Sequence, residues 1–127
     1  LEISPRVTFS NYPFRSHAVI REMDVFVLSS MQESLGFSAL EALAYGKPVV
    51  TFGIGGIYSF IKDNETGLIV PLRDIDALAR AIIRLVDEPD TRARLGKSGR
   101  KLVEERFSID ICVAKLVDLY TSVISGI

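Results

Sequence analysis

The sequence predicts an α/β fold, a partial doubly wound Rossmann-like parallel sheet, and three observations carry that prediction. Short apolar runs alternate with helix-patterned segments as far as Leu72. Three of the runs are too uniformly apolar for a sheet with one wet face, so helices are expected on both faces. From Arg73 onward the pattern turns wholly helical.

The elements follow in order. "RVTFS" (6–10) is expected as a first strand, "DVFVLSS" (24–30) as a second and "KPVVTFG" (47–53) as a third. "TGLIVPL" (66–72) is a fourth, opened by Gly67 and closed by Pro71. Between them lie candidate helices: "RSHAVIREM" (15–23), "GFSALEALAY" (36–45) and "GGIYSFIKD" (55–63). Three helices then complete the chain. The first places Ile75, Leu78, Ala79, Ile82, Ile83 and Val86 at helical spacing, with Asp74 as N-cap and Pro89 as its stop. The second runs from about Thr91 to Arg106 with Leu95, Leu102 and Val103 inward, and the third follows Ser108 as N-cap. Four strands make a thin sheet where doubly wound domains usually have about five or six. Residues 1–127 therefore read as one unit that is part of a larger domain.

Composition narrows the function classes. The chain has 127 residues, 48% of them apolar and 24% charged, as in ordinary soluble domains. A net charge of −1 supplies no field to attract nucleic acid. The one cysteine, Cys112, excludes an internal disulfide and a cysteine-built zinc site, and it reads as a small apolar helix residue. No apolar run approaches the roughly 18 residues needed to cross a bilayer. No charged-then-apolar leader is visible, although the chain opens on Leu1 rather than Met. A cytoplasmic setting is expected, with the inner membrane surface left open, and the sequon Asn64-Glu65-Thr66 is then without meaning.

Chemistry concentrates in "SSMQESLGFSALEALAY" (29–45). This loop leaves the carboxyl end of a predicted strand, where open α/β sheets bind their ligands. Gly36 permits close backbone approach, and the amides of Leu35, Gly36, Phe37 and Ser38 form a helix N-terminus suited to a phosphate or diphosphate. Neither a lysine-bearing phosphate loop nor a three-glycine dinucleotide fingerprint is present, so the anion site is made of backbone. Carboxylates would repel that anion, so Glu33 and Glu41 are expected to grip hydroxyl groups on either side of it. A diphosphate flanked by two sugars is a nucleotide diphospho-sugar. The competing explanation is that both glutamates merely complement a helix dipole.

The ordered set E-x7-E, E-A-x-A-x-G-x-P-V-V, G-G and T-G-L resembles the C-terminal lobe of retaining glycosyltransferases of family 4, also called group 1. It spans nearly the whole chain. The resemblance implies a two-lobed enzyme that transfers a sugar from a nucleotide donor. It also implies that Glu33, the candidate catalytic residue, contacts the donor sugar and that Glu41 binds the ribose. Leu35, Gly36, Phe37 and Ser38 would hold sugar and diphosphate through their amides. The sequence departs from the family pattern at Ser29-Ser30, at Ser59 and at Ile109. Two strand–helix units that open such a lobe, with an Arg and a Lys for the diphosphate, lie outside this sequence, as does the acceptor lobe.

Other residues read as structural. His17 is expected on a helix surface, Gly55-Gly56 in a strand-to-helix turn that serves close packing or a nearby ligand contact, and Lys47 in solvent. Phe37, Tyr45 and Phe52 are expected in the core, and Arg92, Arg94, Lys97, Arg100 and Lys101 on a solvated helix face. No metal or other cofactor is expected, because Asp74-Ile75-Asp76 has metal-ligand spacing but opens an amphipathic helix. The expected function is sugar transfer from a nucleotide diphospho-sugar as part of a larger enzyme. The alternative is an inactive folded module that binds nucleotide or serves assembly. A flavodoxin-like or receiver-type domain lacks its acidic cluster or flavin loop here. The expected partners are the donor, the remaining lobe and, through uncovered apolar surface, a second copy of the chain.

Overall fold

The computed structural model describes residues 4–9 and 16–126. Three parallel strands, β1 (Phe26–Leu28), β2 (Val49–Phe52) and β3 (Gly67–Val70), form one sheet in the order β1-β2-β3. Phe26 pairs with Val49, and Val49 in turn with Gly67. Helices α1 (Ser16–Glu22), α2 (Phe37–Ala44), α3 (Ile75–Asp87), α4 (Pro89–Arg106) and α5 (Ile109–Ser125) surround it.

The two-sided covering follows from the alternation along β2, all four of whose residues are buried. Val49 joins Ala39, Ala42 and Leu43 of α2, together with Ile57, Phe60 and Ile61, on one face. Val50 and Phe52 join Leu68, Val70, Ala81, Leu85 and Leu95 on the other. Each fully buried side chain of this size contributes about 1.5–3 kcal/mol relative to exposure. The sheet is thus sandwiched, as a doubly wound layer requires.

The edges differ. Along β3 the Ile69 amide donates to Asp63 Oδ1 at 2.9 Å and the Asn64 amide to the Gly67 carbonyl at 2.8 Å, so that edge is closed by its own turn. Among the described residues nothing pairs with the outer edge of β1, and Val27 is 38% exposed. β1 and β3 are therefore edge strands of this sheet, and only β2 has the interior position expected for several.

Four further expectations need correction. No strand forms over the described residues 6–9 of the segment expected at 6–10: Ser4–Arg6 is a 3-10 turn and residues 7–9 are irregular, while residue 10 lies outside the described residues. Val7 and Phe9 are exposed, since β propensity without a neighbouring strand leaves the amides nothing to bond. The helix expected over 55–63 shrinks to a 3-10 turn, Gly55–Ser59, because two consecutive glycines have the lowest helix propensity of any residue type but proline. On α3 the buried stripe is Ala81 and Leu85, flanked by Ala77, Leu78 and Ile82, whereas Ile75, Ile83 and Val86 are exposed. Pro89 does not simply stop α3 but starts α4, where its missing N–H costs nothing.

The caps hold as expected. Asp74 Oδ1 accepts from the Ala77 amide at 2.8 Å, and the Ser108 hydroxyl oxygen from the Ile111 amide at 3.4 Å. On α4, Arg92 donates to the carbonyls of Leu85 and Val86, capping the end of α3, while Arg100 and Lys101 pair with Glu104 and Glu105. Among the described residues no helix is long and apolar enough to cross a membrane.

Candidate functional site

β1 ends at Leu28, and the chain then loops through Glu33 to Gly36 before entering α2. The loop thus lies at the carboxyl end of the sheet. Gly36 is the N-cap residue, at φ 83°, a left-handed conformation that costs a side-chain-bearing residue about 1–2 kcal/mol. Its carbonyl accepts from the amides of Ala39 and Leu40, but no side chain caps the helix. The amides of Leu35, Gly36, Phe37 and Ser38 have no acceptor among the described residues. Four donors therefore stand free at one helix end, where the backbone dipole favours an anion.

Glu33 and Glu41 are both half-buried. Among the described residues neither enters a salt bridge or a side-chain hydrogen bond with the protein. Glu33 stands in the loop before the free amides and Glu41 in the second turn of α2, so the two flank the helix tip in sequence. Carboxylates without a protein partner can accept hydrogen bonds from hydroxyl groups.

The next loop completes the construction. β2 runs out at Phe52, and the Gly55–Ser59 turn folds back under the Glu33 loop. The Gly56 amide donates to the Ser34 carbonyl at 2.9 Å. A Cβ on Gly55 would stand 2.0 Å from the Glu33 carbonyl oxygen, and one on Gly56 2.2 Å from that of Ser34. The close packing expected of the double glycine is therefore present, and its partner is the loop that carries Glu33. The Ser59 hydroxyl donates to the Gly56 carbonyl within the turn.

Phe37 was expected in the core but is 69% exposed at the first position of α2, beside the free amides. The sequence masks this, because an aromatic residue opening an apolar helix reads as buried. Tyr45 and Phe52 do pack into the two cores. His17 is exposed on α1, Cys112 is exposed on α5, and Lys47 is only half-buried. A second concavity of about 430 Å³ at the same end of the sheet is lined by Ser29, Met31, Phe52, Arg73, Ile75 and Leu78. Sequence reasoning did not find it; its one signal is that its residues lie at or after the ends of all three strands. Among the described residues no three His, Cys, Asp or Glu side chains cluster as metal ligands would.

The sequence model of the family described as "Glycosyl transferases group 1" matches residues 1–102. The chain belongs to the group 1 glycosyltransferases. The lipopolysaccharide core biosynthesis glycosyltransferase LpsE of Rhizobium meliloti is 34% identical over 122 residues, covering 96% of this chain and 36% of its own length. The capsular polysaccharide biosynthesis glycosyltransferase CapM of Staphylococcus aureus is 31% identical over 119 residues, 94% of this chain and 31% of its own. The chain spans about a third of the length of these relatives. Among solved structures, sucrose-phosphate synthase from Thermosynechococcus elongatus superimposes with a TM-score of 0.86 at 32% identity, over 99% of this chain and 32% of that one. A mutant of S. aureus TarM, crystallised with fondaparinux, α-GlcNAc-glycerol and UDP, gives 0.85 at 27% identity, over 94% and 24%. These likenesses bear out the Rossmann-like α/β layer and the family resemblance.

Proposed function

We propose that this chain forms the donor-binding half of a retaining glycosyltransferase lobe, which moves a hexosyl group from a nucleotide diphospho-sugar to an acceptor. One observation carries the reading. The only α-helix to start from a left-handed glycine among the described residues presents four free amides at the sheet's carboxyl end, flanked in sequence by two carboxylates without a protein partner. In this reading the diphosphate rests on the amides of Leu35, Gly36, Phe37 and Ser38. Glu33 accepts from a hydroxyl of the donor sugar, and Glu41 from the ribose. As the bond from the anomeric carbon to the diphosphate breaks, the leaving oxygen gains negative charge, and pre-aimed amides stabilise it more than they stabilise the ground state. No metal is needed for that stabilisation. The second lobe supplies the acceptor site, and the reaction takes place on the cytoplasmic side, within reach of the membrane surface.

The family match and the UDP in the TarM complex support a nucleotide-sugar donor. Relatives named for capsule and lipopolysaccharide synthesis support a glycan or glycolipid product. The test uses the full-length protein with UDP-, GDP- and ADP-sugars in the presence of a chelator. The reading expects release of nucleoside diphosphate from one of them and, by NMR, a product with the donor's anomeric configuration. Turnover that stops on chelation refutes the metal-free step, and an inverted product refutes retention.

A further inference from the structure

The double-glycine turn after β2 contacts the Glu33 loop at three consecutive points. Gly55, at φ 50°, lies against the Glu33 carbonyl, and a Cβ there would fall 2.0 Å from that oxygen and 3.2 Å from its carbon. Gly56 lies against Ser34 and Leu35: its Cβ would fall 2.2 Å from the Ser34 carbonyl oxygen and 3.0 Å from Leu35 Cα, and its amide bonds that same carbonyl. Ile57, fully buried, sets its Cδ1 2.6 Å from where a Cβ on Gly36 would stand. The atoms met by the two glycines are backbone, so they cannot swing aside as a side-chain end does. A side chain at 55 or 56 therefore forces the two backbone segments apart, Glu33–Leu35 against the turn.

We propose that Gly55, Gly56 and Ile57 are positioning residues for the donor sugar, fixing the height of Glu33 above the sheet through its own backbone. This rests on the reading of Glu33 as the sugar contact. None of the three supplies a side chain to the ligand; they set where one points. The consequence is selective. A shift of the Glu33 peptide disturbs the grip on the sugar hydroxyl, whereas Glu41, inside α2, keeps its hold on the ribose.

The experiment measures the affinity of the full-length protein for UDP, GDP and ADP and for the corresponding glucose conjugates. Wild type is compared with Glu33→Gln, Gly56→Ala and their combination. Gly56→Ala is expected to lower the affinity ratio of conjugate to free diphosphate about tenfold, the size of one charge-assisted hydrogen bond. In the Glu33→Gln background it should lower the ratio no further, which a merely structural effect would not produce. Ile57→Val, which removes only the Cδ1 methyl, provides a milder second variant if Gly56→Ala folds poorly, and should lower the ratio less. An unchanged ratio in Gly56→Ala and Ile57→Val, with Glu33→Gln lowering it, overturns the positioning role and leaves the donor reading intact. An unchanged ratio in Glu33→Gln removes both.

Discussion

Glu33 and Glu41 differ in what holds them, and the difference separates their expected effects. Glu41 is carried by a regular helix whose Ala42 and Leu43 are fully buried, so its position survives changes in the loops. Glu41→Ala should therefore weaken nucleoside diphosphate and nucleotide sugar alike, by about tenfold, as the loss of one charge-assisted hydrogen bond implies. Isothermal titration with both ligands checks this. Equal binding by wild type and variant would remove the ribose contact. Much at this scale was legible in advance: Gly36 before a helix, free of any capping side chain, signals a bare N-terminus from sequence alone. The exposure of Phe37 was not, because burial depends on which face of α2 meets the sheet, and that is decided by Ala39, Ala42 and Leu43 together.

At the scale of elements, side-chain chemistry with short reach and the parallel pairing of three strands match the sequence reading, whereas contacts that join distant elements do not. Asp74 and Ser108 cap α3 and α5 because a cap is a contact over three residues. Asp74→Ala should lower stability by about 1 kcal/mol, seen as a lower thermal midpoint with faster amide exchange in the first turn of α3. Unchanged exchange there would show the cap to be idle. Arg92, whose guanidinium reaches two carbonyls at the end of α3, was expected merely to face solvent. Such a bond joins two helices across a turn, and charge patterning along one helix cannot reveal it. The segment at 6–10 has strand-like residues, yet a strand exists only with a neighbour, and its neighbour is not a local property. The 3-10 turn at Gly55–Ser59 was read as a longer helix for a related reason: its apolar Ile57, Phe60 and Ile61 bury without helical continuity.

Across the whole molecule, apolar surface is unevenly covered. Among the described residues nothing pairs with the outer edge of β1, and α5 has no buried residue while exposing Val113, Leu116, Val117, Tyr120 and Ile124. Contiguous apolar surface of this kind associates in water. The 127-residue chain on its own is thus expected to self-associate with rising concentration, measured by light scattering. A clean monomer at high concentration would contradict this.

The account turns on one helix tip acting as the diphosphate site. A crystal structure of the full-length protein with a nucleoside diphosphate bound tests it most directly. The phosphate oxygens should lie about 2.7–3.2 Å from the amide nitrogens at the start of α2, within Leu35–Ser38. Phosphates held elsewhere on the protein, with those amides left to water, would contradict the account.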